Sequence, residues 1–454
     1  MATHTDHRDV PGSLRTVISA SAIGNFVEWF DFAVYGFLAT IIAKEFFPDS
    51  SVSLGLIKTF GVFAVAFAMR PLGGIFFGIL GDKIGRKSIL SLTILMMAGA
   101  TTLIGLLPSH ASIGIMAPVL LTALRCLQGF SAGGEYAGAI AYLMEHSPND
   151  RRGWYGSFVP VSTFTAFAAA ALLVFALESS LSGEAMNSWG WRIPFIVAAP
   201  LGLAGLFLRW RMAETPAFKA MAAEENLHTH SPLRETLQSQ GSTILRLGAF
   251  ISLTALSFYT FTTYFATYLQ VVGNLTRSQS LLVSTIALFF AACACPVAGR
   301  ISDFIGRRKS IGLICAWVII VVLPAFWLAS SGSLTHAVFG VILLAIGALA
   351  SNVVTATLMS ESFPTRTRYT ASAFTYNISY TIFGGTAPLM ATWLIDQTGS
   401  NLSPAFYLVL IAILAMVGGL GLRETSRISL QGNMEAETPS STRGNTSSQP
   451  TLLS

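Results

Sequence analysis

Apolar residues run in long blocks along this chain, and polar residues collect between the blocks. Twelve blocks reach about 20 residues, the length a helix needs to cross about 30 Å of hydrocarbon. They lie near 17–42, 55–80, 88–107, 113–143, 154–178, 190–209, 244–271, 280–301, 310–330, 334–360, 370–395 and 403–423. The pattern predicts an all-α membrane protein with twelve transmembrane helices. A polar, partly amphipathic stretch at 210–243 divides the blocks six and six and reads as a linker. Residues 1–16 precede the first block. The tail, 424–454, is rich in Ser, Thr, Gln, Asn and Gly; it cannot bury a core and is predicted to be disordered.

Composition agrees with the pattern. Of 454 residues, 53% are hydrophobic and 11% charged, against about 25% charged in soluble proteins, and mean hydropathy is +0.63. The pI near 9.1 would suit a nucleic-acid partner, but the location of the charges excludes it. With both termini placed in the cytoplasm, 21 of the 27 Lys and Arg fall in cytoplasmic segments, and only Lys44, Lys58, Arg192 and Arg277 lie on or near the outer side. The basic balance therefore sets topology, in a membrane crossed many times. The first block carries carboxylates and no small-residue cleavage pattern, so it is expected to stay as a helix. Cys126, Cys293, Cys295 and Cys315 fall inside spans, where they read as small packing residues.

The chain repeats itself. "GILGDKIGRK" (78–87) and "GRISDFIGRR" (299–308) both read GxxxDxxGR, and "EHSPNDRR" from Glu145 and "ESFPTRTR" from Glu361 both read ExxPxxxR. Two motifs in the same order at equivalent helix ends predict a duplicated six-helix unit, 17–209 and 244–423. Asp82 and Asp303 are placed to accept hydrogen bonds from backbone at a neighbouring helix N-terminus. Arg86 and Arg307 are placed to pair with Glu145 and Glu361, and together the six residues would latch the cytoplasmic helix ends.

Charges also lie inside the spans. Glu28 and Asp31 sit in the first, at about 3 kcal/mol each by insertion scales, on one face with Tyr35. Arg70 lies in the second, just before Pro71. Arg125, Gln128, Ala132 and Glu135 share a face of the fourth, beside Gly129, Gly133, Gly134 and Gly138, which read as close-packing positions. Arg stays protonated at any accessible pH; six of the seven histidines fall outside the spans, and His336 stands at the very start of the tenth, away from the midplane. Carboxylates are left to carry protons: Glu28, Asp31 and Glu135. The second half offers neutral groups only, Tyr259, Thr260, Thr263, Tyr264 and Thr267 on the seventh span, Asn352 on the tenth, and Asn377, Tyr380, Thr381 and Gly384 on the eleventh. As a set they predict a hydrogen-bonding wall of a substrate cavity, and "IFGGTAP" predicts an interrupted helix beside it.

The two GxxxDxxGR loops resemble the signature of the major facilitator superfamily. "GNFVEWFDF", "RPLGG", "LQGFSAGGEY" and "WGWRIPF" resemble its metabolite:proton symporter family, and the likeness runs through Arg423. The resemblance implies two pseudo-symmetric six-helix bundles with substrate bound between them near the midplane. It also implies proton-coupled uptake by alternating access. "FYTFTTY" (258–264) is similar to the branch that carries 2-oxoglutarate, so a small di- or tricarboxylate is the expected substrate, held by Arg125, Arg70 and Arg192 with Gln128, Tyr259, Thr263, Tyr264, Asn377 and Tyr380. The alternative is the branch for proline and glycine betaine; some of its members end in a charged heptad coiled coil, which this tail lacks. A membrane sensor of the same fold that moves nothing is a remote third. No GxxxxGK[ST] or HExxH motif occurs, so neither an ATP-driven pump nor an enzyme is expected, and no cofactor or metal. The expected partners are a small solute, protons and the bilayer, with the protein monomeric.

Overall fold

A computed structural model of the chain describes residues 14–84, 86–132, 140, 143–144, 147–211, 232–364, 367–428 and 430. Every regular element among them is helical. Hydrocarbon offers no water to hydrogen-bond the backbone, and a helix satisfies its own N–H and C=O groups; long apolar runs therefore fold this way.

Each predicted block holds a helix. The first span is Leu14–Phe37, followed across Leu38 by Ala39–Phe46 with a bend of 62°. The next three are Val52–Ile84, Arg86–Leu106 and Met116–Ser131, the last ending at the C-cap Ala132. The fifth is Phe158–Ser180, preceded by the short helix Arg152–Gly156, and the sixth is Ile193–Arg211. The second half begins with Pro232–Tyr259, a π-helical turn at Thr260–Tyr264, and Phe265–Val271. Arg277–Ile305, Arg307–Ala329 and Leu334–Glu361 follow as spans eight to ten. The eleventh is Arg368–Ser379, a second π-helical turn at Tyr380–Gly384, and Ala387–Thr398; the twelfth is Ser403–Leu420. Interruption at "IFGGTAP" was expected. The matching π turn in the seventh span was not, and such turns collect at functional sites.

The halves meet chiefly where the fifth span lies along the eighth and the second along the eleventh. Within the first half, Gly129 lets the second and fourth spans touch: a Cβ there would lie 1.8 Å from the Ala66 carbonyl oxygen. That approach carries Arg125 and Gln128 into the interior.

One boundary differs from expectation. The tail was predicted to be disordered from 424, yet 424–428 and 430 pack back on the helix ends, with Thr425 and Leu430 buried. Composition described these residues well; their bonds to charged groups elsewhere in the chain are not a property of composition. Residues 431–454 and the core of the linker, 212–231, lie outside the described residues.

Candidate functional site

The site grows from the first span. Asn25 donates to Ser162 Oγ (2.7 Å) and Thr163 Oγ1 (2.8 Å) of the fifth span, and accepts from Trp29 Nε1 (2.8 Å), which fixes the face that carries Glu28 and Asp31. Both acids are buried, as are Arg70 and Arg125. Arg70 Nη2 lies 3.4 Å from Glu28 Oε1 and from the carbonyl of Ala132, so Glu28 is taken up by a partner of opposite charge. Asp31 Oδ2 accepts from Thr101 Oγ1 at 3.0 Å; Oδ1 has no hydrogen-bond partner. It borders a void of about 10 Å³ that Glu28, Thr93 and Ser131 also line, room for about one water.

Arg125 gives one N–H to Gln128 Oε1, while its Nε and Nη2 are unpartnered, as are Nε and Nη1 of Arg70. Around these donors stand aromatic faces instead of acceptors. Phe67, Phe32 and Trp29 lie 5.1, 5.4 and 5.8 Å from the Arg70 guanidinium, and Tyr35 and Phe63 lie 4.0 and 5.2 Å from that of Arg125. The second half completes the wall. Tyr259 packs edge-on to Phe67 (5.0 Å) and Phe63 (5.7 Å), and Tyr380 follows behind it at 6.0 Å. The Tyr259 hydroxyl has no hydrogen-bond partner, and that of Tyr380 donates to Asn352 Oδ1 at 3.2 Å. Two cations with spare donors, two acids and a ring of π faces thus meet at the seam.

Other predicted residues are placed differently. Thr263 packs on Gly36, Tyr264 stands edge-on to Phe60, and Asn377 is half-buried one turn before Tyr380. Arg192 is a correction: its Nη1 donates to the carbonyls of Gly105 (2.9 Å) and Leu107 (2.5 Å), and its guanidinium stacks on Trp191. It caps the end of the third span, so it is unavailable to a midplane ligand. Glu135 and Glu145 lie outside the described residues, as do the side chains of Asp82 and Arg86.

The helix ends that carry the second GxxxDxxGR loop form a second charged centre. Asp303 accepts from the backbone N–H of Gly153 (2.8 Å) and Trp154 (2.9 Å) in the opposite half. This requires backbone contact, and Gly299 supplies it: a Cβ there would lie 2.3 Å from the Gly153 oxygen. Arg307 binds Glu361 through two bonds (3.0 and 3.1 Å) and Asp303 at 3.0 Å, while Arg152 from the first half lies 3.8 Å from Glu361. The segment after the twelfth span straps over this centre. Thr425 Oγ1 donates to Glu361 (2.9 Å), Glu424 accepts from the N–H groups of Arg307 and Arg308 (2.8 and 3.0 Å), and Arg152 donates to the carbonyl of Ile428 (2.5 Å). Partial burial alone would raise the Glu424 pKa, but the N–H groups of Ser426, Arg307 and Arg308 outweigh it and hold the carboxyl below its ordinary range. At the opposite end Arg277 bridges to Glu178 (3.0 Å) and Thr40 to Gln270 (3.2 Å). In the middle Thr381 Oγ1 donates to the Phe67 carbonyl at 3.0 Å. With contacts at both ends and the centre, the interface is occluded.

Duplicated loops, two six-span halves and a charged seam between them are matched by one family model, which aligns with residues 21–388 and 282–444. The chain belongs to the major facilitator superfamily, with twelve transmembrane helices in two pseudo-symmetric bundles. A proline/betaine transporter of Salmonella typhimurium is 37% identical over 93% of this chain and 86% of its own. The glycine betaine/proline/ectoine/pipecolic acid transporter OusA of Dickeya dadantii is 36% identical over 93% and 85%, and the ectoine/proline transporter ProP of Corynebacterium glutamicum 35% over 93% and 86%. Among solved structures, a D-xylose-proton symporter superposes with a TM-score of 0.71 at 18% identity, over 91% of this chain and 99% of that one, which speaks to fold alone.

The sequence pointed to Glu28, Asp31, Arg70, Arg125 and Gln128 by their cost in the bilayer. It did not single out Asn25, Trp29, Phe63, Phe67 or Thr101, and it marked Arg152 only as the last residue of the repeated ExxPxxxR. Aromatics are 11% of the chain, and nothing local marks the few that reach the seam. Of the other five, Asn25 and Trp29 alone carried a signal, four residues apart beside the two acids.

Proposed function

We propose that this chain is a proton-coupled importer of small zwitterionic osmolytes such as proline and glycine betaine, working by alternating access in a bacterial cytoplasmic membrane with both termini inside. The observation that carries it is the pair of buried guanidiniums with unpartnered N–H groups set against aromatic faces. Leaving such donors without acceptors is costly, and a carboxylate offers two oxygens to the planar fork. The other end of the same molecule is a cation, which a ring face within about 6 Å attracts. Phe67, Trp29 and Tyr259 supply those faces.

Charge supports one carboxylate. Glu28 answers Arg70, so with Asp31 protonated the described residues leave one cation, Arg125, without a counter-charge. The 2-oxoglutarate expected from "FYTFTTY" gives way here. Its second carboxylate would face π clouds that repel anions, and the relatives at 35–37% identity are named for proline, betaines and ectoine.

From outside, a proton reaches Asp31 and the substrate carboxylate reaches Arg125. The halves then rock about the occluded site. Inside, Asp31 loses its proton, its charge competes for Arg125, and the substrate leaves. Glu135 stays in this scheme as a second coupling carboxylate. Asp303, Arg307 and Glu361, with Asp82, Arg86 and Glu145 as their counterparts in the first half, would close the cytoplasmic side while the outer side is open.

Counterflow of labelled proline in proteoliposomes tests the substrate. Exchange against internal proline and glycine betaine, and none against 2-oxoglutarate or citrate, is expected. Exchange confined to the two acids restores the dicarboxylate, and exchange with none removes transport of these solutes.

A further inference from the structure

We propose that Thr101 is a positioning residue that senses the protonation of Asp31 and passes it to Arg125 through Gln128. The proposal rests on the proton-coupled reading above and adds the path by which the two charges communicate. Asp31 and Arg125 share no direct hydrogen bond: Asp31 Oδ1 and Arg125 Nε and Nη2 are all without a partner. A chain of three bonds joins them instead. Arg125 donates to Gln128 Oε1, Gln128 Nε2 donates to Thr101 Oγ1 at 2.8 Å, and Thr101 donates to Asp31 Oδ2 at 3.0 Å.

Thr101 has a second acceptor within reach, the carbonyl of Met97 at 2.9 Å. A hydroxyl carries one hydrogen and two lone pairs. The Gln128 amide nitrogen only donates, so it occupies one lone pair in every state. The hydrogen must choose between Asp31 and Met97.

With Asp31 ionised, the hydrogen goes to the carboxylate, the stronger acceptor. With Asp31 protonated on Oδ2, the acid's own O–H donates to the free lone pair of Thr101, and the threonine hydrogen turns to Met97. No heavy atom moves and every donor keeps an acceptor. The two states differ in how firmly Arg125 is held. Donation to a charged acceptor makes Thr101 Oγ1 a better acceptor for Gln128, which in turn makes Gln128 Oε1 a better acceptor for Arg125, since hydrogen bonds in a chain polarise one another. Protonation removes that polarisation and divides Thr101 Oγ1 between two donors. It loosens Arg125 and frees it for a substrate carboxylate, the sign that symport needs.

Among the described residues, the other titratable or charged groups about Asp31 are Glu28 and Tyr35 on its own helix and Arg125 on the fourth span. Glu28 is paired with Arg70, and the Tyr35 hydroxyl donates to the Thr59 carbonyl. The third span presents hydroxyls, Thr93 toward the void and Thr101 to the carboxylate.

Thr101→Val keeps the shape and deletes the hydroxyl; Thr101→Ser restores it. Two measurements on the full chain in proteoliposomes decide the matter. In infrared difference spectra between acid and alkaline pH, the Asp31 carboxyl band, assigned by its loss in Asp31→Asn, shifts in Thr101→Val and stays in Thr101→Ser. In binding titrations, glycine betaine affinity rises on acidification by about 5- to 150-fold in the parent and in Thr101→Ser, the range of ordinary site-to-site coupling, and by less than about threefold in Thr101→Val. An Asp31 band unmoved by Thr101→Val, a parent with no such band, or a Thr101→Val variant with the parent's pH dependence overturns the proposal. Should glycine betaine bind at no pH, the transport reading fails, and the infrared result still decides the role of Thr101.

Discussion

The contact between Gly299 and Gly153 is the place where one methyl group acts on a single conformation. A Cβ on residue 299 would lie 2.3 Å from the Gly153 oxygen and 2.7 Å from its carbonyl carbon. Both are backbone atoms of the other half and cannot rotate aside. Overpacking of this kind costs about 1–3 kcal/mol. The strain exists only while these ends are closed, so Gly299→Ala should shift the equilibrium toward the open arrangement by about 5- to 150-fold, at tenfold per 1.4 kcal/mol. Spin labels on Arg151 and Phe304, 69% and 87% exposed on either side of the contact, report the separation by double electron–electron resonance. The parent should give one short distance, and Gly299→Ala a substantial longer population. Gly61→Ala is the control, since a Cβ there meets nothing within 4 Å, and it should match the parent. An unchanged distribution in a folded Gly299→Ala protein would refute the reasoning that these glycines set the closure.

Three further outcomes are expected. Arg125→Lys replaces a planar fork by a point charge and loses about 1.5–3 kcal/mol of charged hydrogen bonding, so proline affinity by equilibrium binding should fall about 10- to 150-fold. Trp29→Leu removes a ring face worth about 0.5–2 kcal/mol to a cation; competition assays should show glycine betaine weakened more than acetate-like anions, and equal weakening of both would deny the ring that role. Glu424 has a lowered pKa, so the strap it anchors is fully held above the ordinary carboxyl pKa and is lost as pH falls through the lowered value. The Arg151–Phe304 distance should therefore stay flat from about pH 8 to 5 in the parent, and Glu424→Gln should lengthen it across that range.

The spans were legible because a bilayer demands a fixed apolar length, and the two GxxxDxxGR loops were legible because they repeat. Asp303 and Gly299 of the second loop have an evident physical use, the one as a backbone acceptor and the other as the space that lets it reach. The intramembrane charges stood out by cost, but their pairing did not: Glu28 with Arg70 and Asp31 with Thr101 are decided by helix rotation and depth, which no local pattern encodes. Arg192 was misplaced because an arginine near a helix end looks the same in sequence whether it caps a neighbour or lines a cavity. The bend at Leu38 and the π turn at Thr260–Tyr264 had no proline or glycine pair to announce them.

Accumulation of glycine betaine by proteoliposomes under an imposed pH gradient, acid outside, bears most directly on Asp31 as the proton carrier. Uptake above equilibrium that collapses with a protonophore, and that Asp31→Asn abolishes while exchange of internal for external solute continues, is the predicted result. Accumulation that ignores the gradient, or that Asp31→Asn leaves intact, would contradict it.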